Sequence, residues 1–85
     1  MQVLYFGSVR ARVGVVQEEM PLPDGVDTLG DLAQWLQNRG DGYAVAFKDI
    51  VGIRAAVNHE IAALETRISD GDEVAYFPPV TGGDG

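Results

Sequence analysis

Apolar residues alternate with polar ones in several short stretches of the chain, which predicts β-strands there. Residues 2–6 and 73–77 are the clearest cases, because valine, tyrosine and phenylalanine favour a pleated, half-buried surface. Two more strands are predicted at residues 15–20 and 53–58, and residues 61–64 form a short strand or a bend. The pattern therefore predicts four or five short strands.

One stretch follows the helical period instead. Its apolar stripe has the spacing i, i+3, i+4 and i+7 and consists of Leu29, Leu32, Ala33 and Leu36. Asp27 or Thr28 can serve as the N-cap, and Asp31 follows three residues after Thr28. Arg39 in the last turn followed by Gly40 predicts the C-terminal end. Shorter helical segments are predicted at residues 9–13 and 43–47.

The order of these elements predicts an α+β fold. One amphipathic helix covers only one face of a mixed sheet of four or five strands. Placing the N-terminal hairpin and the last strand around that helix gives a β-grasp, the ubiquitin-like arrangement, in which the first and last strands are neighbours. A turn is predicted at residues 59–60. Residues 1–77 form this domain, and residues 78–85 form an extended, flexible C-terminal tail.

Alternation along the two central strands predicts which side chains lie on each face of the sheet. The residues expected to face the helix are Val3, Tyr5, Val74 and Tyr76. The residues expected on the opposite face are Leu4, Phe6, Ala75 and Phe77. A face exposed to water should be polar, so these apolar residues predict a partner-binding patch. The alternative is that loop segments fold over this face.

The tail combines a stiff start with bare backbone. Pro78 and Pro79 end the last strand, because proline cannot donate to the ladder and fixes φ near −65°. Gly82 and Gly83 follow and have no side chain. A frayed terminus is the ordinary alternative. A random tail, however, does not need a stiff joint followed by two thin residues, so we interpret the tail as functional.

Length, charge and composition narrow the class of protein. Eighty-five residues with no cysteine form one small domain without disulfides or thiolate metal sites, and leave little room for a deep enzyme pocket. The net charge of −7 argues against nucleic-acid binding and favours a basic protein partner. No apolar run approaches membrane-spanning length, so we predict a cytoplasmic protein without membrane contact.

The side chains offer little chemistry. His59 has no cysteine to activate, and neither Ser8 nor Ser69 has an evident base beside it. His59 and Glu60 lack further ligands at a useful spacing, so no metal site is predicted. Residues 82–85 precede no helix and are not a phosphate-binding loop. The remaining reactive group is the main-chain carboxylate of the tail, which becomes an acyl donor once it is adenylated.

Four motifs carry a family resemblance. They are Val-Leu-Tyr-Phe at residues 3–6, Val-Arg at 9–10, Ala-Ala-Val-Asn at 55–58, and Asp-Gly-Asp-Glu-Val-Ala-Tyr-Phe-Pro-Pro-Val-Thr-Gly-Gly at 70–83. Together they resemble the small subunit of molybdopterin synthase, the MoaD-like sulfur carriers of the ubiquitin-like superfamily. A Gly-Gly pair alone is a weak signal, but the long final block is specific.

The resemblance implies how the tail works. An E1-like adenylyltransferase uses ATP to activate the terminal glycine, and a sulfur donor protein converts it to a thiocarboxylate. The sulfur then passes to cyclic pyranopterin monophosphate in the active site of the large subunit, which supplies the catalytic side chains. The small subunit itself binds no cofactor, and the family assembly is a heterotetramer. The implied reacting residues are Gly83 and Gly82, and the partner-binding residues are Phe6, Phe77, Pro78, Pro79, Val80 and Thr81.

One departure from the family pattern concerns the last two residues. The pattern ends at Gly-Gly, whereas this chain continues with Asp84 and Gly85. Either a protease removes them and exposes Gly83, or Gly85 is the activated terminus, or this copy is inactive as written. We favour trimming, because a channel sized for the shorter tail cannot place both glycines at one catalytic point. Two other functions stay open, namely sulfur transfer for thiamine or tRNA thiolation and a non-catalytic β-grasp adaptor.

Overall fold

The computed structural model describes residues 1–79, and that part of the chain contains five strands and three α-helices. The strands are β1 (Gln2–Tyr5), β2 (Gln17–Glu19), β3 (Arg54–Val57), β4 (Glu60–Ala62) and β5 (Glu73–Phe77). The helices are α1 (Gly7–Val13), α2 (Leu29–Gln37) and α3 (Asp41–Ala46), and a 3₁₀ turn covers Ile50–Gly52. In this part of the chain no helix is long and apolar enough to cross a membrane.

The strands form one mixed sheet in the order β2-β1-β5-β3-β4. β1 and β5 are parallel neighbours at its centre, with Val3 opposite Val74 and Tyr5 opposite Tyr76. The other three neighbouring pairs are antiparallel. The predicted ubiquitin-like β-grasp, with its first and last strands side by side, is therefore confirmed.

The core lies between the sheet and α2, and aromatic rings fill its centre. The side chains of Val3, Tyr5, Val74 and Tyr76 are fully buried, as the alternation predicts. Phe47 packs edge-to-face on Tyr76 at a centroid distance of 5.1 Å and on Tyr5 at 6.4 Å. The Tyr76 hydroxyl donates to the Leu29 carbonyl at 2.7 Å, which ties β5 to the start of α2. Burial raises the pKa of Tyr76 far above its ordinary value.

The start of α2 follows the prediction, but its end does not. Thr28 is the N-cap, and its hydroxyl accepts the Asp31 N–H at 3.1 Å. The helix ends at Gln37, so Arg39 is not in its last turn. Gly40 has a φ of 164°, which is extended backbone, so the predicted left-handed cap is wrong. The Arg39 guanidinium instead forms an ion pair with Glu18.

The turn between β3 and β4 lies one residue earlier than predicted. Asn58 and His59 occupy it with φ values of 51° and 75°, which is the two-residue geometry that matches the twist of a hairpin. Glu60, expected in the turn, instead pairs with Val57 in the ladder. Asn58 stabilises the turn, because its side-chain oxygen accepts the Glu73 N–H at 3.0 Å.

A half-buried carboxylate links the edge strand β2 to the helices. Glu18 lies opposite Val3 and points to the helix side of the sheet, where Tyr5 and Tyr43 donate to its Oε2 at 2.7 and 2.8 Å. Arg39 donates to Oε1 at 2.8 Å. Burial alone raises the pKa of Glu18, but the three hydrogen bonds and the Arg39 charge outweigh it and lower that pKa below 4.5.

Candidate functional site

The tail leaves the domain from β5, the central strand of the sheet. β5 is bonded on both sides, and the Phe6 N–H still donates to the Tyr76 carbonyl at 3.1 Å near its end. Pro78 then packs against Gly7, which has a φ of +56° and where an added Cβ would lie 3.0 Å from the Pro78 ring. Gly7 is thus required twice, for its positive φ and for the close approach. Pro78 is half-buried, and Pro79 is exposed.

The residues expected to carry the chemistry follow this root. Val80, Thr81, Gly82 and Gly83 all lie outside the described residues, as do the two additional residues at the end. Their predicted roles, including the thiocarboxylate at Gly83, therefore stay predictions. What the structure defines is the point from which they start and the direction of β5 that leads to it.

The face of the sheet opposite α2 carries a continuous apolar surface, which we call the open face. Leu4, Ala75, Ala56 and Ile61 stand in register across four strands. Ile61 is 74% exposed, and at the tail end of the same face Phe6 is 44% exposed. These exposures show that loops of the described residues do not cover this face, so the alternative considered for it is wrong.

Phe6 and Phe77 lie together at the tail end of the open face. They line one hollow of about 340 Å³ with Leu4 and Ala75. Phe6 falls just after β1, where it is the N-cap of α1, whereas Phe77 ends β5 and is half-buried. An apolar surface that is continuous with the tail root fits a protein partner that also receives the tail. The partner-binding role of both residues stays a prediction.

Polar residues bound the open face at the opposite end. His59 Nε2 lies 2.6 Å from Glu73 Oε2, and both side chains line the hollow. At the tail end of the face, Arg54 stands opposite Phe77 in the sheet register. This arrangement of an apolar centre between polar groups is typical of a binding surface.

The described residues contain no arrangement for nucleophilic catalysis. None of the hydrogen bonds in residues 1–79 joins a serine hydroxyl to His59, whose partner is Glu73. The hydroxyl groups of Tyr5 and Tyr43 donate to Glu18, and burial raises the pKa of each, with the Glu18 contacts adding to the rise. These tyrosines therefore stay protonated and structural.

Ile61 is the residue of the open face that the sequence did not indicate. β4 has only three residues, which is too short for alternation to assign a face. The face on which Ile61 lies becomes clear only when β4 is paired with β3, because Ile61 stands opposite Ala56 and therefore shares its face of the sheet. In a short edge strand, the face on which each side chain lies can therefore be assigned only from the strand that pairs with it.

The fold and this surface define a ubiquitin-like β-grasp protein whose C-terminal tail starts beside an open apolar face. Residues 3–83 match the model of the ThiS family, and the chain belongs to that family. The molybdopterin synthase sulfur carrier subunit of Escherichia coli is 39% identical over 83 residues, which are 98% of this chain and 99% of that protein.

Solved structures show the same fold. SAMP1 from Haloferax volcanii has a TM-score of 0.70 and 30% identity over 98% of each chain. A chain in the complex of subunits 1 and 2 of the molybdopterin-converting factor from Helicobacter pylori has a TM-score of 0.59 and 25% identity over 96% of each chain. The similarity to all three proteins spans nearly the whole chain.

Proposed function

We propose that this chain is the sulfur carrier subunit of a molybdopterin synthase. The observation that carries the proposal is the tail root: a central strand that is bonded on both sides ends at Phe77, beside the open face, and passes directly into Pro78 and Pro79. The identity to the Escherichia coli sulfur carrier subunit over nearly the full length supports it. The proposed site of action is the cytoplasm, where ATP is available.

The proposed reaction uses the main-chain carboxylate of Gly83. A carboxylate oxygen attacks the α-phosphate of ATP on the E1-like adenylyltransferase, and pyrophosphate leaves. A sulfur donor protein then supplies a persulfide, whose terminal sulfur attacks the carbonyl carbon while AMP leaves. A thiol of the donor cleaves the S–S bond of this acyl disulfide, which frees the thiocarboxylate and leaves a disulfide on the donor. The resulting thiocarboxylate donates its sulfur to cyclic pyranopterin monophosphate. Gly82 and Gly83 allow this because bare backbone fits a narrow channel.

The large subunit is the proposed partner for both the open face and the tail. The similar Helicobacter pylori chain was solved in a complex of subunits 1 and 2, which supports a two-subunit assembly. Phe6, Phe77 and Ile61 form the proposed contact, and residues 78–83 enter the active site. Since that active site supplies the catalytic side chains, this chain acts as a non-catalytic carrier, two copies of which join a large-subunit dimer.

The last two residues require processing in this proposal. Residues 78–83 span roughly 20 Å when extended, and two more residues add about 7 Å. A channel that fits the shorter tail would therefore have to bury the Asp84 carboxylate, which is costly. Moreover, Gly83 has only an amide in the uncut chain, so it cannot be adenylated. We infer that Asp84 and Gly85 are removed before activation.

Three forms of the chain test this function. They are the form that ends at Gly83, the full chain, and the Gly83→Ala variant of the shorter form. Each is incubated with the E1-like partner, ATP and the sulfur donor, and the thiocarboxylate is measured by intact mass. We expect a high yield from the first form, none from the full chain without a protease, and a reduced yield from the alanine variant, whose Cβ crowds the channel.

The possible outcomes separate the alternatives. Equal yields from the first two forms move the activated terminus to Gly85. If no form acquires sulfur, the non-catalytic adaptor is the remaining function. In that case, removal of every residue after Pro79 does not reduce binding of the partner. Sulfur transfer without binding of the large subunit points to thiamine or tRNA thiolation instead.

A further inference from the structure

A second surface lies at the tail root, on the side opposite the open face. It is a cleft of about 250 Å³ between α1 and the segment that follows α3, and Pro78 and Pro79 form part of its wall. Arg12 and Lys48 line this cleft, and both residues are exposed. We call it the root cleft. It contacts the start of the tail but is separate from the apolar patch around Phe6 and Phe77.

The two cations of the root cleft have no ion-pair partner within the described residues. The ion pairs of residues 1–79 involve the N-terminus, Arg39 and His59, and none of them includes Arg12 or Lys48. The root cleft also contains Asp49, whose Oδ1 accepts the Gly52 N–H at 3.2 Å and so stabilises the 3₁₀ turn. The cleft therefore offers two positive groups to a partner, in a chain whose net charge is −7.

The distribution of charge along the strands makes this end of the molecule distinct. β1 and β5 both run toward the tail, so the register places their first residues at the far end of the sheet. Acidic residues cluster at that far end, namely Glu19, Glu60, Asp70, Asp72 and Glu73. The molecule thus has a charge asymmetry that orients its tail end toward negative potential.

The length of the tail indicates whether the root cleft contacts a nucleotide phosphate or a group of the protein that receives the tail. Gly83 is four residues beyond Pro79, which corresponds to about 13 Å of extended chain. When the tail is extended inside a channel, a nucleotide phosphate at the reacting carboxylate is therefore remote from Arg12 and Lys48. A protein that receives the tail in a channel must instead surround its root, so the mouth of that channel faces the root cleft.

We propose that Arg12 and Lys48 bind carboxylate side chains at the mouth of the channel by which the large subunit receives the tail. This inference rests on the proposed function, and it adds a charged contact at the root cleft to the apolar contact at the open face. Exposed rim charges mainly raise association rates and select orientation. The two cations would therefore direct the tail toward the channel before the open face is buried.

Chemical cross-linking tests the contact directly, because Lys48 is the single lysine of the chain. A carbodiimide activates a carboxylate as an O-acylisourea, and the Lys48 amine displaces the urea to form an amide. We expect a peptide containing Lys48 linked to an Asp or Glu of the large subunit when the two proteins are mixed. Lys48→Arg keeps the charge, so it should abolish this link without changing the dissociation constant. Links from Lys48 only to carboxylates of its own chain would overturn the proposal.

Association kinetics give an independent test with a matched control. Arg12→Gln and Lys48→Gln should each lower kon for the large subunit about three-fold at low salt, and charge reversal of both should lower it about ten-fold, with little change in koff. The differences should shrink at 0.5 M NaCl because salt screens them. Arg67→Gln removes an exposed charge elsewhere and should leave kon within a factor of about 1.5.

The outcomes distinguish this inference from the function on which it rests. If the unmodified chain does not bind the large subunit, the proposed function fails. If it binds and the Arg12 and Lys48 variants behave like Arg67→Gln, only the root-cleft contact is wrong. If those variants change the KM for ATP in the adenylation reaction but not kon for the large subunit, the cations serve the nucleotide and the proposal is overturned.

Discussion

Replacing Glu18 with glutamine tests how the edge strand is held in place. The carboxylate accepts three hydrogen bonds, from Tyr5, Tyr43 and Arg39, at 2.7 to 2.8 Å. Glutamine has nearly the same shape but no charge and only one acceptor oxygen. If that oxygen faces the tyrosines, its NH₂ group faces the Arg39 guanidinium, where two donors meet. Glu18→Gln therefore changes the chemistry of the cluster without leaving a cavity.

The size of the effect follows from these contacts. A hydrogen bond to a charged group contributes roughly 1.5–3 kcal/mol. The sum is not additive, and the Arg39 and Glu18 side chains are still 33% and 20% exposed, so solvent weakens their ion pair. We therefore expect Glu18→Gln to lower the free energy of unfolding by about 2 kcal/mol, which corresponds to a fall in Tm of about 10 °C for a domain of this size.

The pH dependence gives a second, sharper expectation. The pKa of Glu18 is lowered in the folded protein from its ordinary value of 4.5. A carboxyl group of this kind adds stability that is fully present above pH 4.5 and is lost as the pH falls through its folded-state pKa. The difference in unfolding free energy between the parent chain and Glu18→Gln should therefore be constant from pH 6 to 8 and shrink in more acidic solution.

Urea denaturation followed by circular dichroism measures both quantities. Glu19→Gln is the matched control, because Glu19 is the exposed neighbour on the same strand and should change stability by less than about 0.5 kcal/mol. The double variant Glu18→Gln, Tyr5→Phe should lose less unfolding free energy than the sum of the losses in the two single variants, since both changes remove the same hydrogen bond. Equal effects at positions 18 and 19, or a difference that does not shrink as the pH is lowered, would refute the argument.

Three further predictions concern the tail root and the core. Phe77→Ala should weaken the complex with the large subunit by about 2 kcal/mol while Val51→Ala, at an exposed site elsewhere, does not; unchanged binding with a collapsed Tm would make Phe77 a core residue. Replacing Pro78-Pro79 by Gly-Gly should slow sulfur transfer without unfolding the domain, because a looser tail loses more entropy on threading; an equally fast variant would show that the prolines only end β5. Tyr76→Phe should cost about 1 kcal/mol of stability by calorimetry, and no loss would mean that the bond to Leu29 adds nothing.

The sheet could be predicted from the sequence because its signals are local. Side chains alternate between faces at every residue of a strand, so the pattern alone assigns Val74 and Tyr76 to the core and Phe77 to the open face. The start of α2 was equally local, since Thr28 and Asp31 are three residues apart. In each case the deciding interaction lies within a few residues along the chain.

The features that could not be predicted depend on distant partners. Glu18 contacts residues that are 13, 21 and 25 positions away, and as a glutamate in a polar hairpin it is indistinguishable from a solvated surface residue. Arg39, expected in the last turn of α2, belongs to the same cluster. Arg12 and Lys48 likewise line one cleft only because of how α1 and α3 pack. Propensity cannot reveal such contacts, because they are set by tertiary structure.

The parallel pairing of β1 and β5 places the open face and the tail root next to each other. Phe77 on the open face and Pro78 at the tail root are consecutive residues of the central strand, so a partner that binds the face also fixes the origin of the tail. A register shift of one residue would place Phe77 in the core and Tyr76 on the open face. Tyr76 resists such a shift, since its hydroxyl is bonded to Leu29 and its ring is packed on Phe47. The interactions that stabilise the core thus also determine where the tail begins.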